Sequence, residues 1–428
     1  MAPPIVYDGF RLFLGALTHT PRGIDRIDFG YAKFLFETWP GDCFGLLPTP
    51  WGIRIYDRER ALRMLASVQT SWREEQQAGH DPAYDRLRGW LTGLPVAVQP
   101  VSRSRRSGML NRGLRFLRDN GLPLGRSAAG SAPRKSIYLN VGQMGWATPV
   151  TTLWLQRRKD IHAIFMLHDI IPLQHPELVS KSGRMSHDWM LRTVLRNTAG
   201  LITTTHAASG TIMERLRDQG LPAVPLRSIP LPVADVFLHR DPPDEAAGRH
   251  PYFVICGAIE PRKNHLLLLK VWHRLIRRCG PYAPRLVIVG SPAHQGDQIV
   301  RQFQQSADLR GHVTIVSGLA SPSLRELMAN AAAVLMPSLA EGFGLPVIEA
   351  LAVGTPVLAS DLAVHRELGE GLVIYLHPAD DTEWFDAILK IVEDTEATAA
   401  LRRRIAAYSP MTGSAYFRSV GEFLTGFG

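Results

Sequence analysis

Two successive series of short apolar runs, parted by a stretch rich in proline and acid, constrain this chain most. In the first series "FRLFLGAL" (10–17), "CFGLLPT" (43–49), "GIRIYD" (52–57), "SIYLNVG" (136–142), "HAIFMLHD" (162–169), "GLITTTHAAS" (200–209) and "RSIPLPV" (227–233) read as strands. Helical patterns at 23–39, near 58–67, 180–197 and 207–219 lie between them. "HRDPPDEAAGRHP" (239–251) then breaks both periodicities and reads as a linker. The second series, "YFVICGAI" (252–259), "RLVIVGS" (285–291), "VTIVSG" (313–318), "AVLMPS" (333–338), "PVLAS" (356–360) and "LVIYL" (372–376), alternates with helices at 265–279, 295–307 and 323–331. Val/Ile/Leu runs without polar alternation suit parallel strands covered on both faces. The expectation is an α/β chain of two Rossmann-like domains facing a cleft, over 1–238 and 251–408, joined by a linker at 239–250. Ligands of such sheets bind beyond the carboxyl ends of the strands, so the chemistry is sought in the loops there.

At 428 residues, 45% hydrophobic and 20% charged, the chain suits a soluble protein of more than one core. Its three cysteines, Cys43, Cys256 and Cys279, are scattered, which favours neither a disulfide framework nor a zinc site. A cytoplasmic home is expected, because the N-terminus lacks the pattern of a signal peptide and no apolar run reaches membrane-spanning length. The net charge of +9 is concentrated. Residues 101–135, a basic insertion in the first domain, carry nine basic side chains against one acid, Asp119. That insertion reads equally as a solvated loop or as contact with an anionic surface. Nucleic acid is disfavoured, since aromatic stacking residues are not interleaved with the arginines.

Four stretches carry candidate chemistry. "EGFGLPVIEALA" holds Glu341 and Glu349 on either side of a Gly342-Phe343-Gly344-Leu345 turn that leads into a helix start. Free N–H groups and the helix dipole there suit a phosphate, while the two acids suit sugar hydroxyls beyond it. A capping acid and a surface acid would account for the same pattern. "GAIEPRKNHLLLLKVW" places Gly257 at a strand end and Arg262 and Lys263 before a helix, where cations oppose the dipole but suit a diphosphate. Solvated loop cations compete with that reading. "FMLHDIIP" ends a strand in His168 and Asp169, a pair able to bind a sugar hydroxyl or move a proton. A structural histidine is the ordinary alternative, and a metal site with His175 and Glu177 lacks the usual ligand spacing. Gly23, in "THTPRGIDRIDFGYAKFLF", stands where a strand-to-helix loop would approach a ligand, although the full glycine fingerprint is missing. There is no Walker loop, Gly-x-Ser-x-Gly elbow or Asp-x-Asp motif.

Together these stretches resemble family 4 of the retaining glycosyltransferases, which have the GT-B fold. The likeness is strongest over 252–377. "GIDRIDFGYA" looks like the N-terminal loop of bacterial exopolysaccharide mannosyltransferases, and "LHDIIP" like the family's His-bearing loop. "YSPMTGSAYFRSVGEFL" (408–424) looks like its closing segment, so 409–428 is expected to form a helix that crosses back to the first domain. The resemblance implies an acceptor-binding first domain and a nucleotide-sugar-binding second domain. It assigns Glu349 to the nucleotide ribose, Glu341 and His168 to the donor sugar, and the amides of Phe343 and Gly344 to sugar and phosphate. Arg262 and Lys263 would bind the diphosphate, with Gly23 beside it.

The function expected from this is metal-independent transfer of a sugar, with retention, from a nucleoside diphosphate sugar to a hydroxyl of a glycan or polyprenyl-diphosphate-linked acceptor in polysaccharide biosynthesis. GDP-mannose is the first choice of donor, by resemblance. No cofactor is expected, and the basic insertion then reads as peripheral contact with the inner face of the plasma membrane. A nucleotide-sugar epimerase of the same fold and a non-catalytic donor-binding subunit are the alternatives.

Overall fold

A computed structural model describes residues 2–15, 23–76, 81–93, 118, 120, 124–143, 151–220, 222–240 and 250–428. The linker from 241 to 249 and most of the basic insertion lie outside the described residues. Strands β1 (Ile5–Asp8), β2 (Cys43–Thr49), β3 (Gly52–Tyr56), β4 (Arg126–Ser127), β5 (Ile137–Asn140), β6 (His162–Leu167), β7 (Thr198–Thr203) and β8 (Leu226–Ser228) form the first sheet. Their spatial order is β4-β3-β2-β1-β5-β6-β7-β8. From β2 through β8 the neighbours run parallel, but β3 and β4 add antiparallel to the β2 edge. The parallel expectation fails there for a local reason. Gly52 takes φ +102, and Thr49 Oγ1 donates to Gly52 O at 2.9 Å, so the chain folds straight back after β2.

The second sheet contains β9 (Tyr252–Cys256), β10 (Arg285–Val289), β11 (Val313–Val316), β12 (Ala333–Met336), β13 (Val357–Ser360) and β14 (Ile374–Leu376), in the order β11-β10-β9-β12-β13-β14. All its pairings are parallel. Phe253, Val254, Leu286, Val287, Val334 and Leu335 are fully buried, which is why these strands read as unbroken apolar runs. Strand order reverses between β9 and β12, and a crevice opens beyond their carboxyl ends. The chain therefore has two α/β lobes, as expected.

Two local readings are corrected. The stretch read as a strand from residue 10 is not one over its described part: Phe10–Gly15 is helical, and the first strand is Ile5–Asp8. Asp8 Oδ1 accepts from Phe10 N at 3.0 Å, and Phe13 N donates to Gly9 O, so the aspartate starts a helical turn on a run whose apolar content fits either structure. Gly23 consequently opens the second helix, Gly23–Lys33, rather than the first.

The last helix, Gly413–Thr425, returns to the first lobe. Tyr416 is fully buried with its hydroxyl 2.8 Å from that of Tyr31, and Phe417 stacks on Phe34 at 5.1 Å. Beside it Val233 N donates to Met411 O at 3.0 Å. Arg240 donates to the carbonyls of Ala352, Ala406 and Tyr408, which ties both crossings to the second lobe.

The lobes also meet across the cleft. Thr204 Oγ1 donates to Gly342 O at 3.1 Å, and Glu367 accepts from the amides of His206 and Ala207, the first turn of helix His206–Asp218. A Cβ on Gly342 would lie 2.6 Å from Asp169 Oδ2, 2.8 Å from Asp169 Cβ and 3.0 Å from His168 O.

Two outcomes follow. Tyr416→Ala should lower the stability of the full chain by about 3–5 kcal/mol in urea unfolding, because it empties an aromatic site and orphans Tyr31. Gly342→Ala should leave each lobe folded but push them apart. Small-angle scattering of the variant should show a larger radius of gyration than that of the parent, and an unchanged profile would contradict the packing described.

Candidate active site between the lobes

The crevice is built from β9 outward. Gly257 follows the strand with φ +144, and a Cβ there would come 3.1 Å from Lys263 Cε. Pro261–Lys263 makes a single tight turn that ends on Asn264 in the left-handed region at φ +55. Asparagine tolerates that conformation, and its Nδ2 is held by Pro337 O at 3.1 Å and Pro378 O at 2.8 Å. This turn brings Arg262 and Lys263 against the loop after β12, where Leu339 N donates to Arg262 O at 2.8 Å.

There they meet Glu341, which is buried. Its Oε1 accepts from Lys263 Nζ and, at 2.7 Å, from Ser338 Oγ; its Oε2 accepts from Arg262 Nη1 at 3.0 Å. Burial pushes the Glu341 carboxyl up, but Lys263 and Arg262 outweigh it and hold the group ionised, well below the usual carboxylate range. Burial likewise opposes the charge of Arg262, which Glu341, Glu260 and Asp169 restore and strengthen. Glu260 Oε1 accepts from both Nε and Nη2 of Arg262.

The turn ends on Gly344 at φ +98, and helix Leu345–Ala352 begins on Leu345 with Pro346 in its first turn. Proline lacks the N–H that would be unpaired there, and its fixed φ suits a helix start. The amides of Phe343, Gly344 and Leu345 lie at this positive helix end. Glu349, one turn in, is buried. Burial raises its pKa against the opposing charge of Arg26, whose Nη1 is 3.2 Å away. Arg26 comes from the first lobe, as does Gly23, where a Cβ would sit 2.5 Å from Leu345 Cδ1. His168 ends the other side of the cleft. It is 5% exposed, its Nε2 donates to Val141 O at 3.1 Å, and burial lowers its pKa, which favours the neutral ring.

The donor-site residues expected from the sequence therefore lie around one cleft: Gly257, Arg262, Lys263, Glu341 to Leu345 and Glu349 from one lobe, Gly23 and His168 from the other. Three more belong with them. Arg26 sits inside the quoted "GIDRIDFGYA", three residues after Gly23, and could have been marked as its cation. Ser338 ends "AVLMPS". His365, fully buried beneath Gly344, pairs Nδ1 with Ser360 O at 2.8 Å and leaves Nε2 without a partner; no sequence signal marked it. Among the described residues no group of His, Cys, Asp and Glu side chains is placed to hold a metal ion.

Residues 250–394 match the family model described as Glycosyl transferases group 1. Over 165 residues the chain is 33% identical to the O-antigen chain mannosyltransferase RfbU of Salmonella typhimurium, covering 37% of this chain and 43% of that protein. Over 238 residues it is 26% identical to the serotype-specific mannosyltransferase WbdA of Escherichia coli, covering 52% of this chain and 28% of that one. The chain thus spans less than half the length of these curated relatives. Among solved structures, Anabaena Alr3699/HepE in complex with UDP and glucose superimposes with a TM-score of 0.64 at 16% identity, over 99% of this chain and 100% of that one. Sucrose-phosphate synthase from Thermosynechococcus elongatus gives 0.59 at 17% identity, over 98% of each chain. At such identities the likeness is one of fold. Residues 250–394 are a group 1 glycosyltransferase domain, carried by a chain with the two-lobed GT-B fold.

Proposed function

We propose that the chain is a retaining glycosyltransferase that moves a sugar from a nucleoside diphosphate sugar to a hydroxyl of a glycan or polyprenyl-diphosphate-linked acceptor. The observation that carries this reading is the convergence of Arg262, Lys263 and a free helix N-terminus on the point where strand order reverses, with an acid on either side. Cations and amides there suit a diphosphate, and Glu349, one turn into the helix, suits a ribose beyond it. The two mannosyltransferase relatives favour mannose, and GDP-mannose is the donor we test first.

As the glycosidic bond breaks, negative charge grows on the leaving diphosphate. Arg262, Lys263 and the amides of Phe343 to Leu345 stabilise that charge better than the charge of the bound donor, which is what accelerates the step. Both Glu341 oxygens are already engaged, so the carboxylate orients the two cations and is a poor nucleophile. A front-face route fits best, with the leaving phosphate taking the acceptor's proton and the configuration retained. Phosphate neutralisation is assigned to side chains and amides, so a chelator should leave turnover unchanged.

Incubation with a panel of nucleotide sugars should show slow hydrolysis of one donor and transfer when acceptor is added. Lys263→Ala should then lower kcat by about a hundred- to a thousand-fold with the fold intact. Turnover unmoved by that change removes Lys263 from the step, conversion of donor alone to an isomer would indicate an epimerase, and binding without turnover a donor-binding subunit.

We also propose that residues 101–135 bring the first lobe to an anionic membrane. No helix among the described residues is long and apolar enough to cross one; we read the contact as a peripheral, electrostatic one. Sedimentation should recover more protein with anionic than with neutral vesicles, and the excess should fall with salt; equal recovery would refute the contact.

A further inference from the structure

Helix Gly23–Lys33 begins against the crevice, and Arg26 is one turn along it. Its Nη1 reaches across the lobes to Glu349 Oε1, while its Nε is buried with no partner. A guanidinium presents its donors in a rigid fork that matches two oxygens of a phosphate at once, so the pairing with Glu349 uses only part of it. Cys256, at the end of β9, shows what Arg26 lies near. Burial raises that thiol's pKa, Glu349 raises it further, and Lys263 and Arg26 both pull it down. Arg26 and Lys263 thus reach the neighbourhood of one strand end from opposite lobes.

Arg262 and Lys263 are both committed to Glu341, and Arg262 also to Glu260. They offer a phosphate less net charge than a free pair would. Arg26, whose Nε has no partner and whose acid Glu349 is the one assigned to the ribose, is placed to supply the difference.

We infer that Arg26 is a third diphosphate-binding cation, delivered by the first lobe, and that it trades Glu349 for phosphate oxygens when a ribose takes Glu349. This rests on the proposed function. It adds that the diphosphate, and not the nucleoside, ties the lobes together at this point. Gly23 has a role in it: without a Cβ at that position the first turn of the helix comes close enough to Leu345 for Arg26 to reach.

The test is calorimetric binding of GDP, UDP, guanosine and uridine to the full chain and to Arg26→Gln and Arg26→Lys. The parent should prefer one nucleoside diphosphate to its nucleoside. Arg26→Gln should shrink that preference about 10- to 100-fold by weakening the diphosphate alone, as expected for the loss of a charge-assisted bond. Arg26→Lys should restore part of it, because charge is kept and the fork is lost. Equal weakening of nucleoside and diphosphate would mark a merely structural residue, and an unchanged preference would remove Arg26 from the phosphate site; either overturns the inference while the proposed function stands. A parent that shows no preference for diphosphate over nucleoside overturns both. Gel filtration and circular dichroism of the variants separate lost binding from lost fold.

Discussion

A buried carboxylate that must stay charged sets the terms for this site. Glu341 sits in the loop after β12, where desolvation alone would neutralise it. It remains ionised because Lys263, Arg262 and Ser338 all donate to it. Breaking one such buried pair typically costs about 3–5 kcal/mol, since the remaining charge is left without compensation. The loops after β9 and β12 are therefore locked to each other. That lock fixes the cations at the mouth of the crevice, and the glycine turn, the helix start and Glu349 take their places from it.

The second determinant is that the site belongs to neither lobe alone. Gly23 packs on Leu345, Arg26 pairs with Glu349, Thr204 donates to Gly342, and Glu367 caps a helix of the opposite lobe. These contacts across the cleft are largely polar, and elsewhere a buried apolar cluster that includes Tyr84, Leu91, Tyr252 and Leu327 joins the lobes. Chemistry that needs water excluded gains from such an arrangement, because the low-dielectric setting exists only when the lobes are together.

Much of this was legible in the sequence because it follows from local rules. Buried parallel strands declare themselves as apolar runs, and the helix expected at 265–279 is found as His265–Cys279. Glycines at positive φ, Gly257 and Gly344, marked the two loops that matter. What the residues could not reveal was who pairs with whom. Glu341 and Glu349 looked like a matched pair reading hydroxyls, yet one is bound to two cations of its own lobe and the other to an arginine more than three hundred positions away. The helix at Phe10–Gly15 was misread because six apolar-rich residues satisfy two periodicities, and a single hydrogen bond from Phe10 to Asp8 decides between them. His365 carried no signal, since its importance comes entirely from lying under Gly344.

The route of the backbone between lobes has a mechanical consequence. It crosses outward near Val233 and back near Met411, and these two segments are hydrogen-bonded side by side. Arg240 clamps the pair onto three carbonyls of the second lobe. A single tether would leave the lobes free to swivel, but a ribbon of two resists torsion and bends most easily across its own plane. Twisting one lobe against the other would have to shear that ribbon, so the doubled crossing keeps the two rims of the crevice in register.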